Sequence, residues 1–403
     1  MPIDVAIVGA GPAGARAAYV LARRGARVTM FDGSHPREKP CGGGVTGRAL
    51  ALVADAVDSG AFPRTVIRSA RFTHLRGSAA SAAQAGATPG RPESMEAVVP
   101  LQADALVVAS RAAFDAALLA AAERAGATLV RVRVSDVSAD SGGGVLLTAA
   151  DGGRHRASFV IGADGANSLV RRRLATPFRR DQLSIATGFF AHGVCSDEIV
   201  LELTPEPPGY IWSFPRPGHL AVGICAQADA GIGASALRDR TRDWMARTRI
   251  AEGAALEPYS WPIPSLSARD YDALALTGPG WALAGDAAGL VDPITREGIF
   301  FAVASGEWIA DALSGGDPAA AYTARVRDEA IAELARAARL KAGFFRPAFT
   351  GLMMRALMES AAVRAVMADL VAGTQSYKTL KWRLLKTLEL GLAWRALTRN
   401  DER

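Results

Sequence analysis

Gly9-Ala10-Gly11-Pro12-Ala13-Gly14 follows directly on the apolar run Val5-Ala6-Ile7-Val8 and leads into an alanine-rich stretch from Ala15 to Arg24. Each glycine of this GxGxxG spacing has its own task. Gly9 permits a sharp turn, Gly11 lets backbone approach a pyrophosphate, and Gly14 lets a helix pack on a strand. Amides at the start of that helix, and the positive end of its dipole, suit phosphate oxygens. A second segment, Ala26 to Phe31, ends on Asp32, whose carboxylate can accept hydrogen bonds from ribose hydroxyls. A packing turn rich in Ala and Gly would account for the glycines but not for the acid. The unit therefore predicts a dinucleotide site. Three further signals follow in order: Arg111-Ala112-Ala113-Phe114-Asp115 opening a helix, Gly162-Ala163-Asp164-Gly165 closing an apolar run, and Gly285-Asp286-Ala287-Ala288-Gly289 leading through Pro293 to Gly298. Each falls at a strand end or helix start, where backbone amides are free. Asp286 is placed to reach a cofactor ribose, and the helix after it can aim its N-terminus at a ring or phosphate.

These motifs need a parallel sheet to hold them. Val5 to Asp32 reads as one βαβ unit. Arg111 to Gly126 reads as a helix with Phe114, Leu118, Leu119 and Ala122 on one face. Thr128 to Val134 and Val145 to Ala149 read as strands with Gly142 to Gly144 in the turn, and Arg156 to Asp164 as a buried strand. Ser78 to Pro92 is a small, polar loop or hairpin excursion. From about Thr176 to Pro264 helical periodicity fades while prolines and aromatics rise, which predicts one antiparallel sheet with a helix near Ser235 to Arg247. The α/β texture returns at Trp281 to Asp286, then a helix over Gly298 to Leu313. From Ala319 on the chain reads as helices, one of them amphipathic over Gly351 to Gly373. The expected fold class is α/β (α+β overall). A Rossmann-type cofactor domain takes residues 1–75, 98–175 and 265–318, an inserted antiparallel-sheet substrate domain takes 76–97 and 176–264, and C-terminal helices take 319–403.

Composition narrows the function. The 403 residues are 50% hydrophobic and 21% charged, enough for more than one globular layer. Three cysteines without a CxxC pair and five scattered histidines argue against a disulfide framework or a zinc site. Net charge is +6, and residues 373–403 carry seven Lys/Arg against three Asp/Glu. No nucleic-acid recognition module accompanies that charge. No stretch is apolar enough to span a bilayer. The first strand begins a few residues after Met1, so no signal peptide is expected and the expected location is cytoplasmic.

In this order the four motifs resemble those of the para-hydroxybenzoate-hydroxylase-like FAD enzymes. The resemblance implies FAD as resident cofactor, held by Gly9, Gly11, Pro12, Ala13, Gly14, Asp32, Lys39, Cys41, Gly42, Arg111, Asp164, Gly285, Asp286, Gly289, Pro293, Gly298 and Ile299. With a single GxGxxG, an NAD(P)H or reduced carrier protein would bind only in passing. Two motifs narrow the family further. Pro36-Arg37-Glu38-Lys39-Pro40-Cys41-Gly42-Gly43-Gly44 resembles the Pro-Arg-x-Lys-Pro-Cys-Gly-Gly segment of the geranylgeranyl reductase family. Pro207 to Pro215 fits that family's Pro-x-x-Tyr-x-Trp-x-Phe-Pro motif at every fixed position. The resemblance covers Ile3 to Leu313. Its one marked departure is Arg296, within Asp292-Pro293-Ile294-Thr295-Arg296-Glu297-Gly298, where the family more often has Asn-Pro-Leu-Thr-Gly-Glu-Gly.

The implied reaction is hydride transfer from reduced flavin N5 to one carbon of an isoprenoid double bond and protonation of the other. The implied substrate is a prenylated lipid, quinone or pigment. No catalytic residue is assigned; the pocket candidates are Cys41, Gly43, Tyr210, Trp212 and Phe214. Tyr210, Trp212 and Phe214 alternate at strand period and share one sheet face, either as a pocket for an apolar chain or as a core stripe. Cys41 is either a small buried residue or a neighbour of the flavin. An FAD-dependent monooxygenase or halogenase is the alternative, as is a flavoprotein that holds a prenyl lipid without turnover. The chain lacks the Trp-x-Trp-x-Ile-Pro pattern of tryptophan-type halogenases, which favours reduction. In the tail, Leu380, Leu384, Leu388 and Leu392 make an apolar stripe flanked by Trp382 and Trp394, with Lys381, Arg383, Lys386 and Arg395 largely off it. Such a helix either rests peripherally on the anionic inner face of a membrane or packs over the substrate domain.

Overall fold

The Asp4–Val8 strand (β1) is apolar after its first residue and is buried on both faces. Continuous apolar runs of this kind belong in the middle of a covered parallel sheet. The structure, a computed structural model, describes residues 4–76, 93–140 and 143–387. In it β1 lies inside a six-stranded sheet with the order Thr277–Gly278, Trp281–Leu283, Phe159–Gly162, β1, Arg27–Phe31 (β2), Thr128–Val130. All neighbours are parallel except the first pair. The Pro12–Arg23 helix (α1) packs against both Arg111–Arg124 and Ile299–Ala312. Gly306 lets the last of these close in, since a Cβ there would stand 2.3 Å from the Ala13 carbonyl oxygen.

Two expected strands are each divided between sheets. Thr128–Val130 stays in the six-stranded sheet, whereas Val134–Ala139 joins Val145–Ala149 and Arg154–Ala157 in a three-stranded one. Likewise the run expected over Arg156 to Asp164 changes sheet at Ser158. An apolar run shows that a segment is buried but not against which neighbour.

A seven-stranded sheet has the order Ala255–Pro264, Leu183–His192, His219–Gln227, Pro208–Arg216, Ile199–Pro205, Ser69–Arg76, Glu93–Pro100. It is not antiparallel throughout, as the sequence suggested. Ile199–Pro205 and Ser69–Arg76 run parallel, because the second strand arrives from a distant part of the chain and not by a hairpin. The loop expected over Ser78 to Pro92 lies outside the described residues, and the strands on either side of 77–92 reach further than residues 76 and 97, to Ser69 and Pro100.

The two faces of this sheet separate by alternation. Ile211, Val222, Ile224 and Phe189 pack under the Ala234–Thr248 helix with Leu237 and Trp244. Tyr210, Trp212 and Phe214 point the other way. There the C-terminal helices close over the sheet, with Met353, Met354, Leu357, Met367 and Leu370 against Phe72, Met95, Val99 and Ile199. The single helix expected over Gly351 to Gly373 is two, Pro347–Glu359 and Ala361–Val371. Ser360 separates them: its backbone is extended and its Oγ accepts from the Val363 amide at 3.2 Å, an N-cap that starts a new helix. The last described helix, Tyr377–Lys386, buries Tyr377 and half-buries Leu380, while Trp382 is 69% exposed. Leu388, Leu392, Trp394 and Arg395 of the expected stripe lie outside the described residues. Among the described residues no helix is long and apolar enough to cross a membrane.

Candidate active site

The glycine turn after β1 is closed on two sides and open on the third. Gly9 has φ +100°, and a Cβ on it would stand 2.4 Å from the Ala163 carbonyl oxygen. On Gly14 it would stand 1.9 Å from the Gly9 carbonyl oxygen. Gly11 differs: a Cβ there would meet only the His35 imidazole, at 3.4 Å. Two glycines thus serve the fold, and the third leaves room for something to approach. No side chain caps the start of α1, so the amides beside Gly11 are offered to that space.

Asp32 lies at the end of β2, as expected, but its oxygens already serve the chain. Oδ2 accepts from the Ala10 amide at 2.9 Å, and Oδ1 from the Ser34 amide at 2.8 Å and the His35 amide at 3.0 Å. His35 stands between two carboxylates, its Nδ1 2.8 Å from Asp32 Oδ2 and its Nε2 3.5 Å from Asp115 Oδ2. Asp115 is fully buried and takes two bonds of 2.9 Å from Arg111. Arg111 in turn reaches Cys41 Sγ at 3.7 Å. Burial alone would raise the Asp32 pKa, but His35 and the amides of Ala10 and Ser34 outweigh it and hold it below its usual value. Burial would lower the pKa of His35, yet Asp115 and Asp32 raise it above normal. His35 and Asp115 were not singled out as site residues from sequence, although Asp115 closes the Arg-x-x-Phe-Asp motif.

The loop from Glu38 to Gly44 is held by Arg216, which the sequence analysis also missed although it directly follows the aromatic motif. Its side chain is 0% exposed. It donates to the carbonyls of Lys39 at 3.1 Å, Cys41 at 2.6 Å and Gly42 at 3.3 Å, reaches Cys41 Sγ at 3.4 Å, and pairs with Glu38. Phe214 presses on the same loop. A Cβ on Gly42 would lie 2.9 Å from the Phe214 ring, and one on Gly43 (φ +84°) would lie 2.5 Å from the Ala109 carbonyl oxygen. Phe214 is thus as much a support of the glycine loop as a wall.

One large cavity gathers most of the expected residues. Pro12, Lys39, Cys41, Gly42, Gly43, Arg111, Asp286, Gly298 and Ile299 line its polar end. Tyr210, Trp212 and Phe214 line the apolar end with Phe72, Leu201, Leu203, Trp261, Ile263, Met367 and Leu370. Lys39 Nζ lies 3.3 Å from Asp286 Oδ2. Asp164 is turned away: it accepts from Ser168 Oγ at 2.5 Å and from the Leu169 amide at 2.6 Å, capping the Leu169–Leu174 helix, and burial raises its pKa. Gly285 donates to Ser305 Oγ at 2.9 Å, Gly289 (φ +78°) ends the short turn after Ala284, and Pro293 is buried behind the wall. Among the described residues no cluster of side chains suits a metal ion.

A family profile described as an FAD binding domain matches residues 2–304. A digeranylgeranylglycerophospholipid reductase of Methanothrix thermoacetophila is 31% identical over 86% of this chain and 88% of its own length. The chain belongs to the geranylgeranyl reductase family of FAD-dependent oxidoreductases. A menaquinone reductase of Mycolicibacterium smegmatis is 28% identical over 98% of this chain and 97% of its own length. A crystal structure of a geranylgeranyl bacteriochlorophyll reductase-like protein from Thermoplasma acidophilum superposes with a TM-score of 0.74 at 22% identity, covering 96% of this chain and 99% of that one. It shares the fold.

The polar end fits the cofactor that the family name implies. The open side of Gly11, the uncapped start of α1 and the cavity-lining Lys39, Asp286 and Ile299 are what a nucleotide-linked flavin needs. The departure from this reductase family at Arg296 has a structural cost. Arg296 has φ +62°, the left-handed region that glycine occupies freely and other residues occupy at a cost of about 1–2 kcal/mol. The glycine more usual at this position would suit that backbone.

Proposed function

We propose that this chain is a reductase that saturates C=C bonds of an isoprenoid chain carried by a lipid, quinone or pigment. The observation that carries the reading is the lining of the cavity. Beside five charged residues, Lys39, Arg111, Asp286, Arg296 and Glu297, most of its large side chains are aromatic or aliphatic. A long hydrocarbon suits such a wall, since burying each CH₂ contributes about 0.8 kcal/mol. The relatives are named for menaquinone and for a digeranylgeranylglycerophospholipid, both prenylated molecules. Reduced FAD in the polar end would supply the hydride. Tyr210 and Trp212 would then hold the alkene beside it. The Tyr210 hydroxyl donates to the Thr295 carbonyl at 2.9 Å, which ties this wall to the segment before Gly298. NAD(P)H or a reduced carrier protein would supply the electrons from outside.

The test is anaerobic photoreduction followed by addition of a prenyl alkene. Reoxidation of the flavin with formation of the saturated product supports the reading, and no reoxidation overturns it. Product that forms only with oxygen would assign the chain to the monooxygenases or halogenases. Trp212 is 4% exposed in this wall and its Nε1 is buried without a protein partner. Trp212→Ala should lower turnover of the prenyl substrate about tenfold or more while the flavin spectrum stays near wild type, as loss of one large contact of about 1.4 kcal/mol would give. A variant that merely unfolds would make Trp212 a core residue.

The substrate would be collected from a lipid surface. Trp382, Leu384 and Leu385 are exposed on the Tyr377–Lys386 helix beside exposed Lys378, Lys381 and Lys386. Phe349, Leu352 and Met358 are exposed on Pro347–Glu359, the helix whose inner side closes over the sheet. Binding to anionic vesicles should exceed binding to neutral ones and weaken with salt, each basic residue near the surface contributing about 1 kcal/mol. Co-sedimentation unchanged by deletion of residues 378–403 would make the tail structural.

A further inference from the structure

Arg296 is a cation kept against its own backbone. It occupies left-handed φ +62°, lines the cavity, and sits two residues before Gly298, the N-cap of the 14-residue Ile299–Ala312 helix. Its Nε is buried with no hydrogen-bond partner, and its guanidinium donates only to the neutral Ser265 hydroxyl. Among the described residues no carboxylate stands within ion-pair distance of it. Lys341 shares this partner. Its Nζ lies 2.8 Å from the same Ser265 Oγ and 2.8 Å from Gln227 Oε1, and burial together with Arg296 outweighs Asp229 and Asp270 and pushes its pKa down to about 7, so the lysine yields its proton where Arg296 keeps its charge. The adjacent carboxylate, Glu297, is engaged elsewhere, accepting from the Thr46 hydroxyl at 2.7 Å and pairing with Arg48, and Asp292 is engaged too. Asp292 Oδ1 accepts from the Ile294 and Thr295 amides, and its Oδ2 from the Tyr377 hydroxyl. A guanidinium in a cavity wall without a paired carboxylate is costly to keep unless an anion arrives beside it.

We propose that Arg296, together with the amino end of the Ile299–Ala312 helix, stabilises the negative charge that reduction places on the flavin ring, and so raises the flavin's midpoint potential. The inference rests on FAD occupying the polar end of the cavity, not on the identity of the alkene. On taking up two electrons and one proton, a flavin ring carries one negative charge. A guanidinium and a helix N-terminus beside it favour that form over the neutral oxidised one, and charge near the ring is one of the ways a protein tunes its electronics. Arg296 lines the same cavity as Lys39 and Asp286 and donates to Ser265, two residues beyond Ile263 of the wall, so its charge acts inside the space that cofactor and substrate would share.

Arg296→Gly tests this without endangering the fold, because glycine suits the left-handed backbone. Potentiometric titration of the FAD-loaded protein, without alkene, is the primary measurement. Arg296→Gly should disfavour reduction about tenfold or more, the loss of one charge-assisted contact, which for a two-electron couple is a fall of about 30 mV or more. Arg296→Lys should stay near wild type, since it keeps the charge. Sulfite, which adds to oxidised flavin and leaves a negative ring, should bind Arg296→Gly about tenfold more weakly as well. A wild-type midpoint potential in Arg296→Gly overturns the proposal, as does an equal fall in Arg296→Lys. An unchanged potential with weaker binding of an acidic substrate analogue would overturn it too, and give Arg296 to the substrate. If the chain binds FAD and shifts as described but reduces no alkene, the proposal stands and the isoprenoid reading falls.

Discussion

Arg216→Met is expected to release FAD and to unfold at a markedly lower temperature than wild type. The methionine fills much of the volume, so the loss is electrostatic. Three loop carbonyls, Lys39, Cys41 and Gly42, lose their donor, and Glu38 loses its cation while still accepting from Ser110 Oγ. Glu38 is one-third exposed, so water takes up part of the loss of its cation, and the pair contributes less than the few kcal/mol of a fully buried one. The carbonyls add to this, because an unsatisfied buried acceptor costs about 1–3 kcal/mol. The Glu38–Gly44 loop supplies Lys39, Cys41, Gly42 and Gly43 to the cavity, so its collapse removes one side of the polar end. Thermal midpoint and flavin content measured on the same preparation decide the matter. Wild-type values for both would show that the loop holds itself.

Asp32→Ala is the second large effect. Its carboxylate takes five hydrogen bonds, from the Ala10, Ser34 and His35 amides, the Ser34 hydroxyl and the His35 ring. Each bond to a charged acceptor contributes about 1.5–3 kcal/mol where it is buried. The variant should therefore lose both FAD retention and stability. The pH dependence supplies a signature. Asp32 is held below its ordinary 3.8, so its contribution is present above that value and is lost as pH falls through the folded value. His35 is raised above its ordinary 6.5, so its contribution is complete below 6.5 and is lost as pH rises through the folded value. Between about pH 3.8 and 6.5 both are in force. Thermal midpoints of the wild type should bend downward on both sides of that window, and Asp32→Ala should remove its part of the acid arm while the alkaline arm only becomes shallower, because Asp115 still raises His35. A variant that keeps FAD and the wild-type profile would show that the network is dispensable.

The elements legible in the sequence were those whose signal is local. GxGxxG, with the strand before it and the acid after it, is one unit within thirty residues. The period-two spacing of Tyr210, Trp212 and Phe214 is likewise decided by strand geometry alone. What sequence could not reach was convergence over long separations. Arg216 meets Glu38 across 178 residues and His35 meets Asp115 across 80, and no periodicity announces either contact. Asp164 ends its apolar run as its motif indicates, while its carboxylate accepts from Ser168 and the Leu169 amide at the start of the next helix, a pairing that no periodicity announces. Ser360 carries a local signal, an N-cap serine inside an apolar run, that helical periodicity on both sides of it masks.

The cavity draws its walls from two stretches of chain. Residues that hold the polar end all lie within 2–304, the stretch the family profile matches, whereas Phe344, Met367, Leu370 and Val371 come from helices beyond it. The stretch that matches the cofactor-binding profile and the helices that close the cavity are thus separate pieces of one polypeptide. On the proposed reading, substitutions at Phe344, Met367, Leu370 or Val371 should change which prenyl substrates are accepted while FAD content stays at the wild-type level.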